Sequence, residues 1–309
     1  METKREGWKA LIALAPAAIA LIIFTFFPIV NTFVMSFMED FKLLDGAGIF
    51  AIMNGFSGIG LGGYVDVLTD PVFLDAIVNT LILVVVSVPL TIIIALFIAV
   101  ALNSIKKLQG LYQTIFFLPY VTNAIALGMV FNIMFASNGS GLINAIFNGG
   151  NSHEWVTANA SKWSLFVVIV CSTVWNGLAF KILVFMSGLQ SIDKQYYDAA
   201  RIDGASKARI LGKITIPLLS PQILYITITS FIGAFKSYTG IISVVGKGAY
   251  NFGGTGDDWI TVVGYVYKQM GSPELGGYTK AAAGAVILLI IILICTGVQS
   301  LVAKKRVHY

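Results

Sequence analysis

The sequence predicts an all-α membrane protein with six transmembrane helices and a polar helical segment at one membrane surface. Three observations carry this. Of 309 residues, 57% are hydrophobic and 11% charged, whereas a soluble domain has about 25% charged residues. Six stretches each offer roughly the 20 mostly apolar residues that a bilayer crossing needs. The basic residues concentrate in alternate loops, as they do on the cytoplasmic side of membrane proteins. The net charge of +5 therefore reads as topology, not as nucleic-acid binding.

The spans fall at roughly 10–37, 74–103, 111–135, 163–189, 217–245 and 279–303. Lys4 and Arg5 ahead of the first span, with Ala15, Pro16 and Ala17 inside it, imitate a secretory signal. Its apolar character runs from Ala10 to Phe37, beyond the roughly 7–15 residues of a cleavable core, so a retained span is expected. The third and fifth spans are more polar and contain Pro119 and Pro221. Such breaks are tolerated where a helix faces protein or a water-filled cavity. Pro119 would kink the third span, as a packing kink or as a hinge. The sixth span is the clearest, an unbroken aliphatic run from Ala285. Cys171 and Cys295 both lie in apolar runs and are expected to be small buried side chains.

Topology follows from charge. Lys4, Arg5, Lys9, Lys106, Lys107, Lys194, Arg201, Lys207, Arg209, Lys213, Lys304, Lys305 and Arg306 share one side, against Lys42, Lys162, Lys247, Lys268 and Lys280 on the other. The first side is expected to be cytoplasmic, with both termini. The outer side also collects Glu39, Asp40, Asp45, Asp66, Asp70, Asp75, Asp257 and Asp258, and none of its loops, 38–73, 136–162 and 246–278, has room for a sizeable separate domain. The resulting organisation is a cytoplasmic N-terminus 1–9, a membrane domain 10–303 with a cytoplasmic loop 194–216, and a cytoplasmic C-terminus 304–309.

That loop opens a polar island running from Asp198 to Pro221. Arg201, Lys207, Arg209 and Lys213 face Asp198 and Asp203 in composition, and Ala199, Ala200, Gly204 and Ala205 would let another surface approach. Asp203 and Gly204 are expected to divide it into two short helices. Gly204 would accept a left-handed backbone, and Asp203 or Ser206 would cap the second helix. Ile210, Leu211 and Ile214 would then form an apolar stripe. A bare basic loop obeying the positive-inside rule is the plainer reading of the charge alone.

The island resembles the EAA loop of ABC-importer permeases: Asp198-Ala199-Ala200, then Asp203-Gly204-Ala205, Leu211, Ile214, Pro217 and Pro221 keep the family's spacing. Asp198 stands where Glu is usual, and Leu211 where Phe is usual. Phe27-Pro28-Ile29, Asp70-Pro71-Val72-Phe73, Asn79-Thr80-Leu81, Phe117-Leu118-Pro119, Gly141-Leu142-Ile143-Asn144 and Leu189-Gln190-Ser191-Ile192 extend the similarity across the chain. Together they look like the carbohydrate branch, permeases of the maltose and glycerol-3-phosphate type, first of two paired subunits. The large extra outer domain of the maltose type is missing, because residues 38–73 are too few.

The resemblance implies the membrane domain of a type I ABC importer in a bacterial inner membrane. It implies a second permease chain, two ATPase subunits that bind ATP and Mg, and an extracytoplasmic solute-binding protein. This chain would bind no cofactor and catalyse nothing. The island would be the coupling element that docks on an ATPase, with Asp198, Ala199, Ala200, Arg201, Asp203, Gly204, Ala205, Arg209 and Leu211 as its working residues.

For the substrate pathway, polar groups at membrane depth are the candidates. Asn123, Trp175, Asn176 and Ser230 lie near the middle of their spans, with Lys181 nearer the inner end and Lys236 nearer the outer. An aromatic face beside amides suits a sugar ring and its hydroxyls. Helix packing explains the small and amide residues equally well, and either lysine can snorkel to an interface. Two lysines on a pathway would suit an anionic or uronate-bearing saccharide. Glycerol-3-phosphate and polyamines are the near alternatives as cargo. An ion-coupled secondary transporter would want intramembrane acids, which the central spans lack. A membrane-embedded enzyme would want a His, Cys or acid constellation, and the only histidines, His153 and His308, lie in an outer loop and at the penultimate position.

Overall fold

The computed structural model describes residues 2–41, 55–105, 107, 109–137, 141–147, 149, 152–157, 160–249, 259–271 and 276–306. Lys42, Asp45, Lys106, Asp257, Asp258 and His308 lie outside them. Helices dominate. Four are individually long and apolar enough to cross a membrane: Leu11–Met35, Pro71–Ser104, Lys162–Ser191 and Gly277–Ala303. Two bent pairs, Gly110–Val121 with Ala124–Met134 and Lys207–Leu218 with Ser220–Phe235, give up to six if each pair is one span. Two compact units divide the chain, residues 1–74 with 265–289 and residues 75–264 with 290–309.

The first unit begins with α1 (Glu2–Leu21) and α2 (Phe27–Met35), joined by a π-helical turn at Ile22–Phe26. None of the apolar stretch of this span is buried within the chain; a helix apolar on every face suits hydrocarbon. The π turn has a local cause. Pro28 cannot donate to the carbonyl four residues back and its ring crowds that carbonyl. The preceding turn widens, and Phe27 N–H bonds Ile22 O instead. Beyond it, β1 (Met38–Glu39) pairs antiparallel with β2 (Gly58–Ile59), and α3 (Gly62–Thr69) follows. Tyr265 is fully buried, stacks edge-on against Phe73 at 5.0 Å and donates to Asp70 Oδ2 at 2.8 Å. Burial, followed by that carboxylate, raises the tyrosine hydroxyl's pKa above its ordinary value. Thr279 closes the unit, donating to Met38 O at 2.5 Å and accepting from Phe41 N–H at 3.1 Å.

The second unit holds most of α4 (Pro71–Ser104), with α5 (Gln109–Val121), α6 (Ala124–Met134), α7 (Leu142–Phe147), α8 (Lys162–Ser191), α9 (Lys194–Ile202), α10 (Lys207–Ile210), α11 (Ile216–Leu218), α12 (Ser220–Phe235) and α13 (Thr239–Ala249). The remaining helices, α14 (Val262–Met270) and α15 (Gly277–Arg306), begin and end the last segments of the chain. Leu165, Ile169, Ile182, Phe185, Leu219 and Ile226 are fully buried in the core. Close approach of α8 and α12 depends on Gly188, where a Cβ would stand 2.7 Å from Leu219 Cδ2. Trp259 stacks on Phe166 at 4.8 Å and donates Nε1–H to Lys162 O at 2.7 Å.

Three expectations change. The third span does not bend at Pro119, which is buried inside α5. It breaks at Thr122 and Asn123 by 99°, where the Asn123 side chain caps α6 by accepting from Ile125 N–H at 2.8 Å. The fifth span is shorter than 217–245. Pro217 belongs to α11, α12 ends at Phe235, and the remainder refolds as α13. The two outer pieces, α6 and α13, then pack on each other, with Gly128 set against Ser243 and Asn132 Nδ2 donating to Val244 O at 2.7 Å. Cys171 is exposed and Cys295 half-buried, and both are free thiols rather than buried core side chains.

Candidate functional site

Two sites stand out, both in the second unit and both on α8 and the chain leading into α12. The first is the island. Asp193 caps α9, accepting from Gln195 N–H at 3.0 Å. At the far end Ala205 N–H bonds Ala200 O at 2.9 Å and Gly204 N–H bonds Arg201 O at 3.1 Å. This is a Schellman stop, with Gly204 at φ +71° as its left-handed residue. Ser206, and not Asp203, caps the next helix, accepting from Arg209 N–H at 3.3 Å. A second π turn, Leu211–Thr215, precedes Pro217 as the first precedes Pro28, with Ile216 N–H on Leu211 O.

The island is therefore a rigid helix-turn-helix with capped ends. Ala200 is buried, and Ile210, Leu211 and Ile214 are half-buried. Tyr197 and Thr215 join the two arms through their hydroxyls at 3.3 Å. Arg201 pairs with Asp198 at 3.4 Å, with both side chains well exposed, so the pair contributes little to stability. Asp203, Gly204, Ala199 and Arg209 are exposed and Ala205 is half-buried. A shallow cleft of about 380 Å³ is lined by Asp193, Tyr196, Ala199, Ala200, Asp203 and Ile214, among others. Ile202 stands beside it, 86% exposed. It is the most exposed large apolar side chain among the described residues. Its exposure follows from the turn at Gly204 and could not be assigned from the order of residues.

The second site is a cleft of about 410 Å³. It gathers Ser87 and Thr91 from α4, Ser172, Asn176, Gly177, Phe180 and Lys181 from α8, and Thr229, Ser230 and Gly233 from α12. On α8 the lining residues recur at helical spacing, so one face of that helix is polar and open. Asn176 Nδ2 donates to Ser172 O at 2.9 Å and Lys181 Nζ to Gly177 O at 3.1 Å. Of the six pathway candidates, the structure brings Asn176, Lys181 and Ser230 together here. Trp175 lies on the other face of α8, beside Cys171, Leu178, Leu90 and Phe131, around a separate apolar hollow. Asn123 is exposed and spends its side chain as the α6 cap. Lys236 is exposed at the C-terminal cap of α12. Ser87, Thr91, Ser172, Thr229 and Phe180 were not singled out from sequence. Lone hydroxyls in apolar helices carry no periodic signal, and four of these five are Ser or Thr on three different helices.

The sequence comparison decides the family. Residues 58–308 match the family model described as binding-protein-dependent transport system inner membrane component. The chain belongs to this permease family. It is 32% identical over 286 residues to the arabinooligosaccharides transport system permease protein of Halalkalibacterium halodurans, covering 92% of this chain and 84% of that one. It is 31% identical over 308 residues to the lactose transport system permease protein of Rhizobium radiobacter, covering 97% and 95%. A solved bacterial alginate ABC transporter, in complex with alginate pentasaccharide-bound periplasmic protein, contains a chain of the same fold. Its TM-score is 0.75 at 18% identity, over 98% of this chain and 96% of that one. The fold of this permease is thus the transmembrane domain of a type I ABC importer.

Proposed function

We propose that this permease forms half of the translocation pathway of an ABC importer for a sugar or oligosaccharide. The observation that carries the reading is connectivity. Helix α8 forms one wall of the polar cleft, runs through Ile192 and Asp193 into the island, and the island leads back through Leu219 into α12, a further wall. A force applied to the island reaches two cleft walls through short, capped connections. The printed substrates of the two relatives, arabinooligosaccharides and lactose, support a saccharide as cargo.

In this reading the island docks on one of two ATPase subunits, which bind ATP and Mg. Ile202, Ala199, Ala200, Gly204, Ala205 and the stripe at Leu211 give the apolar seat, and Asp198, Arg201, Asp203 and Arg209 the polar rim. A second permease chain supplies the other half of the pathway, and a loaded extracytoplasmic binding protein meets the outer loops. Both termini and the island lie on the cytoplasmic side of a bacterial inner membrane, and this chain hydrolyses nothing. Asn176, Lys181 and Ser230 meet the cargo in the cleft. Trp175, Asn123 and Lys236 serve elsewhere, as an exposed apolar face, a helix cap and a helix terminus.

The test is reconstitution of this chain with its partner permease and ATPases in nanodiscs. ATP hydrolysis should rise several-fold when binding protein and its saccharide are both added. Transport by the isolated chain, driven by an ion gradient without ATP, would overturn the reading.

A further inference from the structure

The cleft contains a single charged side chain among the residues that line it, Lys181. No Asp or Glu lines it, and among the described residues the ion pairs are Arg201 with Asp198 and Lys280 with Asp66. The ammonium has one protein partner, the carbonyl of Gly177 four residues back on the same helix. That bond turns the stem toward the N-terminal end of α8, away from the nearer end at Ser191. The ammonium therefore points away from that nearer end of the helix. Gly177 makes the room: a Cβ there would stand 3.0 Å from Nζ. A half-buried cation without a counter-ion at membrane depth is costly, and such residues mark substrate paths.

The hydroxyls around it point to the rest of the cargo. Thr91 donates to Ser87 O at 2.5 Å, Ser172 to Ile169 O at 2.9 Å and Thr229 to Tyr225 O at 2.8 Å. Each proton is committed to its own helix, which leaves the oxygen lone pairs as acceptors. Asn176 commits one of its two amide N–H groups to Ser172 O, leaving the other to donate and Oδ1 to accept. Ser87 Oγ is 1% exposed and has no partner among the described residues. Thr91, Ser172 and Thr229 thus present acceptors, while Asn176 can also donate, and such a mixed lining suits a cargo rich in hydroxyls.

We infer that the cargo is a polyhydroxylated anion, a saccharide bearing a carboxylate or a phosphate ester, and that Lys181 is the specificity-determining cation that meets its acid group. This rests on the transport reading above. The charge would be neutralised only while cargo is in the cleft, so the cation favours loading of an acidic sugar over a neutral one.

Proteoliposomes holding the full complex, with binding protein outside, would be given trigalacturonate, neutral galactotriose or glycerol 3-phosphate. Wild type should accumulate an acidic probe, trigalacturonate or glycerol 3-phosphate telling carboxylate from phosphate. Lys181→Met should lower that uptake about 10- to 100-fold, the worth of one hydrogen bond to a charged group. Lys181→Arg should restore most of it. Gly177→Ala, which crowds the ammonium, should give a smaller loss. Uptake of galactotriose alone by wild type would overturn the charge inference and leave the sugar reading standing. Uptake of none of the three would overturn both. Equal loss with Met and Arg, together with reduced ATPase activity of the complex, would make Lys181 structural and overturn the inference.

Discussion

The island and the cleft share α8 and the approach to α12, yet they are built in opposite ways. The caps and turns that shape the island are local. Asp193 and Ser206 cap helices that begin one residue later, Gly204 stops the helix that precedes it, and Pro217 widens the turn just before it. The cleft has no local logic. Its groups come from α4, α6, α8, α12 and α13, and apart from Asn176 and Lys181 each looks unremarkable on its own helix. The proposed coupling role asks the island to keep one shape under force, which short-range caps suit. The proposed pathway role asks the cleft to change shape, which suits a lining drawn from separate helices.

The comparison breaks most visibly at Gly204. Nothing lies within 4 Å of a Cβ placed there, so a substitution tests backbone conformation and not crowding. Gly204→Val should cost roughly 1–2 kcal/mol for the left-handed geometry and abolish coupled uptake, while insertion and assembly persist. Gly204→Asn, which tolerates that geometry, should retain most uptake. Uptake by the valine variant equal to wild type would sever the island from coupling.

The cleft should respond in the other way. Ser87→Ala removes a buried hydroxyl that has no protein partner among the described residues, so the fold should lose little or gain slightly. Cargo uptake should fall about threefold to tenfold, as expected for one hydrogen bond of about 0.5–1.5 kcal/mol. ATPase stimulation by the binding protein should remain, because the island is untouched. A loss of thermal stability without a change in transport would assign Ser87 to packing.

These contrasts also explain what could be read from the sequence. The island was legible because its spacing, its glycine and its caps are consecutive in the chain. The long apolar helices α4, α8 and α15 were legible because hydrophobic length alone defines them. The bend of the fifth span falls at Leu219, beside the expected Pro221, whereas that of the third was misplaced. Pro119 is the stronger helix breaker in isolation, but burial holds α5 intact and the chain turns instead at Asn123, where a side chain replaces the lost backbone bond. Trp175 was expected on the pathway because it adjoins Asn176. One step along a helix is about 100° of rotation, enough for Asn176 to line the polar cleft while Trp175 lines the apolar hollow.

Tyr265 offers a reference outside both regions. Its hydroxyl pKa is raised by burial and by Asp70, so the stabilisation from its bond to Asp70 is complete below pH about 10, where an unfolded tyrosine keeps its proton. It is lost as the pH climbs further. The thermal midpoint of wild type should exceed that of Tyr265→Phe by an amount worth about 1 kcal/mol at neutral pH, and the gap should close at strongly alkaline pH. A constant gap would mean that ring packing, not the hydroxyl, carries the difference. Tyr265→Phe should not alter the ratio of transport to ATP hydrolysis.

The smallest expected effect on the fold is the most informative about the island's purpose. Asp198 and Arg201 are 65% and 72% exposed and 3.4 Å apart, a surface pair worth at most a few tenths of a kcal/mol to about 1 kcal/mol. Asp198→Asn should therefore leave the thermal midpoint nearly unchanged. If the carboxylate acts only within the island, transport should be equally unaffected. If it is the acidic end of the docking surface, the affinity of the membrane subunits for the ATPases should fall and its salt dependence should flatten, since one charge has left the interface. Arg201→Gln separates the cases further: freed from its neighbour, Asp198 should bind a basic group on the ATPase more strongly, and affinity should hold or rise. A matching loss in both variants would instead make the pair itself the unit that docks.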